Sequence, residues 1–110
     1  MEILQVPFTS IFWDEIPPTT HPGETGFATW RTVGKGNMRV RLVEYSPGYL
    51  ADHWCNRGHV IHILRGEMIS ELKDGTRSRL KAGMTYMMGD DAVNPHRSQT
   101  EGGVTLFIVD

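Results

Sequence analysis

A chain of 110 residues carrying 11 Lys and Arg against 13 Asp and Glu, a formal net charge of -2, fits about one domain with one ordinary core. The charges are scattered, which excludes nucleic acid or an anionic membrane as an electrostatically held partner. No basic leader precedes an apolar run, no segment approaches the ~18 apolar residues of a membrane span, and one cysteine cannot close an internal disulfide, so a reduced, cytoplasmic chain is expected.

Twelve glycines and six prolines punctuate the chain at short intervals, and no stretch keeps the i, i+3, i+4, i+7 apolar rhythm of a long helix. The pattern predicts many short strands in an all-β sandwich or barrel. Residues 1–12 offer an edge strand through Ile3, Leu4, Val6 and Phe8. Residues 14–26 read as a loop, because Pro17, Pro18, Pro22 and Gly23 withhold amide donors and regular torsions.

A strand is expected over residues 27–33 and a tight turn over 34–37. Residues 38–45 alternate, with Met38, Val40 and Leu42 on one face and Arg39, Arg41 and Val43 on the other. A strand carrying His53 and Cys55 follows, then a bend at residues 56–58 and an apolar strand over 59–64. Asp74-Gly75 between alternating runs predicts a hairpin. Arg77, Arg79 and Lys81 alternate with Ser78 and Leu80, as on a strand with one solvated face. Residues 84–88 form a further strand, residues 89–95 a loop leading to His96, and residues 104–109 an apolar closing strand.

The chemistry concentrates in residues 52–66, which hold His53, His59, His62 and the single cysteine, Cys55. On a strand, residues two apart share a face about 6.6 Å apart, so His53 and Cys55 lean toward one point. Gly58 lets the next strand run back past them. A helix placing Cys55, His59 and His62 on one face is disfavoured by Gly58 and by β-branched Val60, Ile61 and Ile63. A metal needs donors converging at about 2.0–2.3 Å from more than one strand. His53, Cys55 and His59 satisfy that, with His96 as the fourth ligand. His62 faces away from His59 and Ile61 and is assigned a structural or interface role. Cys55 has two other readings, as a small buried apolar residue and as a nucleophile activated by His53 or His59.

The spacing of His53, Cys55, His59 and Gly66, with Pro47-Gly48 before and Arg65-Gly66-Glu67 around its end, resembles the first motif of the cupin superfamily. Gly83 and His96 resemble the first glycine and the histidine of the second motif, although Gly89 stands where a proline is usual and the interval is two residues longer. The run Asp52-His53-Trp54-Cys55 with Gly58-His59, the run 83–86, the run 96–98 and the closing 106–110 together resemble the small cupins named for a DHCW motif. The resemblance implies a single cupin domain over residues 1–110, a double-stranded β-helix or jelly-roll barrel, with 1–26 partly irregular. In that superfamily the donors are usually His, His and Glu. Here Cys55 and His59 make a softer set, which favours one divalent transition metal ion, Fe, Ni, Cu or Zn, over Mn or Mg.

Inward positions of such a barrel supply pocket walls. Arg41 is a candidate clamp for a carboxylate, against a solvated face shared with Arg39. Tyr86, on the same face as Met88, is a candidate substrate contact, against a core role. Arg97 and Ser98 are weaker candidates, and Trp13, Trp30 and Trp54 are expected to pack. The implied function is a mononuclear metalloprotein acting on a small molecule, of oxygenase or isomerase class. The alternative is a non-catalytic module that binds or senses a small ligand. Exposed strand edges predict a homodimer paired through residues 1–12.

Overall fold

The computed structural model describes residues 1–110. Its strands are β1 (Thr19–Pro22), β2 (Phe27–Lys35), β3 (Met38–Tyr45), β4 (His59–Leu72), β5 (Arg77–Lys81), β6 (Thr85–Met88), β7 (His96–Gln99) and β8 (Val104–Val109). All pairings are antiparallel, and the long path runs β1-β2-β3-β8-β4-β5. The result is the all-β fold that the turn-rich sequence predicts, in the jelly-roll form that the resemblance implies.

β4 is the strand common to both walls. Its first half pairs with β8 on one side and β6 on the other; its second half pairs with β5 and β7. The expected break after residue 64 does not occur. A register shift between Ile63 and Arg65 absorbs the bend, and Gly66 sits at φ +81, where a Cβ would meet the Gly103 carbonyl at 2.3 Å. Glycine is required there, since bulges and close backbone approach leave no room for a side chain.

Alternation decides which residues meet inside. In β8, Val104, Leu106 and Ile108 are buried while their neighbours are half-buried. The same parity runs through Ile61 and Ile63 in β4 and Val43 in β3, and with Met68, Leu80 and Val104 these form the main apolar cluster. Arg41 shares the inward face of β3 and is buried, while Met38, Val40 and Leu42 lie on the other face and are half-buried.

Two N-terminal expectations are corrected. Residues 1–12 form no strand; Asn37 pins them, its Oδ1 accepting from Leu4 N–H at 2.8 Å and its Nδ2 donating to the Glu2 carbonyl at 2.9 Å. Residues 14–26 are not all loop: a short 3-10 turn covers Trp13–Glu15 and β1 follows, ending at Pro22 on the sheet edge, where a missing amide donor does no harm. The strand expected at His53 is likewise absent. Residues 52–53 form a bend, and only Cys55 makes a ladder bridge, to His96. The hairpin at Asp74-Gly75 forms as expected, with Arg77 and Arg79 reaching Glu71 and Glu67 across its outer face.

Ile63 is 0% exposed and its neighbour Leu64 is 49% exposed, so truncation separates them. Ile63→Ala is expected to lower unfolding free energy by about 2–5 kcal/mol and Leu64→Ala by about 0.5 kcal/mol or less. Urea unfolding measures both, and equal losses would refute the assigned inward face.

Candidate metal centre

Local pairing builds the site from distant residues. Cys55 N–H donates to the His96 carbonyl at 2.7 Å, and His96 N–H returns to the Cys55 carbonyl at 2.9 Å. Residues that exchange both bonds sit side by side across the ladder and project the same way. His59, first residue of β4, faces them from the opposite wall. One donor atom from each of Cys55, His59 and His96 lies within 4.8 Å of the other two. His59 Nε2 and His96 Nε2 are 2.7 Å apart, close to the roughly 3 Å that separates two nitrogens on one ion at about 2.0–2.1 Å.

His59 is held from behind. Its Nδ1 donates to Asp110 Oδ2 at 3.3 Å, which leaves Nε2 as the free donor atom. A carboxylate in that position fixes the tautomer and the ring orientation of a metal-ligating histidine. Asp110 follows β8, and its side chain is 1% exposed. Arg39 grips it with a fork, Nε to Oδ1 at 2.9 Å and Nη2 to Oδ2 at 3.0 Å, and Arg41 Nη2 reaches Oδ2 at 3.0 Å.

The electrostatics follow from this packing. Burial works against the Asp110 charge, but the Arg39 hydrogen bonds, the Arg41 charge and the His59 bond outweigh it and hold the carboxyl well below its usual range. Burial lowers the His59 pKa, with Asp110 opposing. Burial, with His59 and His53 nearby, pushes His96 down to about 4. Both imidazoles are therefore neutral at physiological pH, the state a metal requires.

Of the residues expected in the site from the sequence, Cys55, His59 and His96 come together and His53 stands outside the group. The His53 ring is 66% exposed, with Nδ1 on Asp52 Oδ1 at 2.7 Å. The bend at 52–53 removes the strand spacing that would have placed it beside Cys55. His62 points away and meets Thr85 Oγ1 at 2.7 Å. Arg41 is buried against Asp110, with its guanidinium 4.6 Å from the centre of the Trp30 ring. Tyr86 is inward, its pKa raised by burial. Arg97 turns outward to Glu71, while Ser98 is buried.

Arg39 and Asp110 are the members that residue-type reasoning passes over. The available signal was parity: Asp110 continues the inward series Leu106, Ile108, and the Arg39/Arg41 face of β3 lies opposite. A groove of about 610 Å³ opens beside His59 and Asp110, with Ile3, Met38, Met87 and Met88 in its wall. A larger depression of about 920 Å³, between Leu50 and Arg79, holds none of the three converging donors.

No family model matches the sequence, and no curated protein does. Solved structures do match. The polyketide cyclase RemF from Streptomyces resistomycificus is 20% identical, over 94% of this chain and 78% of its own, with a TM-score of 0.75. FeII HppE is 13% identical at a TM-score of 0.72; the match covers 93% of this chain and 59% of that one. An RmlC-like cupin from Shewanella frigidimarina is 15% identical, over 96% of this chain and 92% of its own, with a TM-score of 0.70. What these likenesses establish is a common fold.

The histidines set a pH dependence for the metal-free protein. Their folded pKa values lie below the ordinary 6.5, so as pH falls through about 6.5 the unfolded chain takes up protons that the folded chain refuses. Asp110 is depressed as well; its stabilisation is present above the ordinary carboxylate pKa, about 4, and is lost as pH falls below it. The thermal midpoint is expected to fall steadily from pH 7 to pH 4, and a flat profile would contradict the burial of the pair. Asp110→Asn is expected to cost about 3 kcal/mol at neutral pH, because Arg41 loses its buried counter-charge.

Proposed function

We propose that this chain, which has the cupin fold, is a metalloprotein that holds one divalent transition metal ion and binds a small molecule beside it. The observation that carries this reading is the convergence of Cys55, His59 and His96 with Asp110 bonded behind His59. Two nitrogens and a sulfur favour Fe, Ni, Cu or Zn. His53 lies outside the three-donor group, and we propose that its exposed ring swings in as a fourth ligand through Nε2, Nδ1 being held by Asp52. The resemblance of residues 52–59 to the DHCW motif cupins belongs to the same reading.

Such an ion supplies Lewis acidity or, as Fe, Ni or Cu, a redox centre. The chain's own residues do the rest. Asp110, held ionised by Arg39 and Arg41, keeps the proton on His59 Nδ1 and turns Nε2 toward His96. Met88, opposite His59 in the register, puts an apolar side chain at the mouth beside the three donors. RemF is a polyketide cyclase and HppE an iron(II) protein, so barrels of this fold serve small-molecule and iron chemistry; for this chain the class proposed is oxygenase or isomerase. The alternative is a non-catalytic binding or sensing module, which a ligand-induced thermal shift without turnover of that ligand would identify.

Elemental analysis tests the metal. About one equivalent of Fe, Ni, Cu or Zn is expected; His96→Ala should lose it, and Cys55→Ser should weaken it by about tenfold or more. Less than about a tenth of an equivalent, with no uptake of any of the four, would end this reading.

We also propose that the chain pairs as a homodimer through residues 1–12. Phe8 is 99% exposed and Phe12 is 63% exposed, and the exposed Ile3 lines one groove with the exposed Val60 and Met87; clustered exposed apolar side chains mark an association surface. Sedimentation should give a dimer that Phe8→Asp with Phe12→Asp dissociates. A wild-type monomer at micromolar concentration would refute the pairing.

A further inference from the structure

Two buried side-chain atoms in the barrel lack a well-formed hydrogen bond: Arg41 Nε, and Tyr86 Oη, whose nearest polar neighbours are the Ser70 and Ser98 hydroxyls. The sheet register relates them. Tyr86 lies opposite Ile61, Ile61 opposite Ile108, and Ile108 opposite Arg41, so the four occupy one row across four strands. The next row toward the rim is Met88, His59, Asp110 and Arg39. The next row inward contains Ile63, Leu106 and Val43, all fully buried. The unpaired atoms therefore lie one step below the converging donors and one step above an apolar floor.

Native interiors rarely leave buried donors unpaired, because each loses its bonds to water and gains none in return. Arg41 Nε can only donate, so the partner it lacks is an acceptor; Tyr86 Oη, beside the Ser70 and Ser98 hydroxyls, can donate to the same group. The Arg41 side chain is 7% exposed, and its only ion-pair partner, Asp110, already closes a fork with Arg39. Two guanidiniums thus share one carboxylate, and a buried cation without its own counter-charge is costly. Asp110 on Nη2 and the Trp30 ring beneath the guanidinium fix the direction of the free Nε–H edge.

We propose that the small molecule taken by this barrel carries an oxyanion, a carboxylate in the simplest case, seated on Arg41 Nε and Tyr86 Oη beneath His59. The oxyanion pairs the second guanidinium and satisfies both donors. Ser70 and Ser98, buried on the facing wall, provide hydroxyls for a further oxygen of the ligand. The inference rests on the small-molecule reading above for its location and does not depend on the metal.

Acetate and its neutral counterpart acetamide are the probes, titrated calorimetrically into metal-loaded and metal-free protein at neutral pH and constant ionic strength. Acetate is expected to bind about tenfold or more tightly than acetamide in both forms, since charge-assisted bonds outweigh neutral ones. Tyr86→Phe is expected to weaken acetate about tenfold while leaving the thermal midpoint nearly unchanged, because the hydroxyl it deletes makes no well-formed bond in the free protein. Equal affinity for acetate and acetamide, or no binding of either, overturns the proposal. So does a Tyr86→Phe protein that melts lower and keeps its acetate affinity, which assigns the hydroxyl to structure. Discrimination in metal-free protein alongside failed metal uptake leaves the oxyanion site standing and removes the metal; metal uptake without discrimination does the reverse.

Discussion

One buried carboxylate organises the polar end of this barrel. Asp110 Oδ2 accepts from Arg39, Arg41 and His59, and Oδ1 takes the second arm of the Arg39 fork. A charge with 1% side-chain exposure is tolerable only because every bond it lost to water is replaced by a charged or strongly polar donor. The same bonds tie the end of β8 to β3 on one side and to the start of β4 on the other. Removing the carboxylate would free the His59 ring and leave two guanidiniums facing each other.

Above and below that centre the interior is graded. Converging imidazoles and a thiol lie nearest the rim, a mixed row of Arg41, Ile108, Ile61 and Tyr86 comes next, and Val43, Leu106 and Ile63 close the floor. The gradation is a property of period-2 strands: each step of two residues moves one layer deeper on the same face. A single register therefore sets the depth of the site, the identity of the layer beneath it and the dry base that supports both. A slip by one residue would turn all three outward together.

Sequence was informative where structure is local. Strand 38–45, the hairpin at Asp74-Gly75 and strand 104–109 follow from alternation and turn chemistry within a few residues. Cys55, His59 and His96 were legible because soft donors are scarce and their types betray them. Asp110 was less legible, since an acid after an apolar strand is usually solvated and only its parity with Ile108 marks it as inward. His53 fell outside the group because the two-residue rule needs a strand, and residues 52–53 bend. The placement of Glu2 and Leu4 depends on Asn37, more than thirty positions away, and no local pattern carries that contact.

β4 runs unbroken for 14 residues through both walls. Walls that share an uninterrupted strand cannot part like the halves of a clamshell without rupturing a ladder on both sides of it. Any opening of this barrel is therefore a matter for the rim, where residues 1–3 and Gly89 border the groove beside His59. The shared strand holds the two sheets at one spacing and leaves only those margins free to vary.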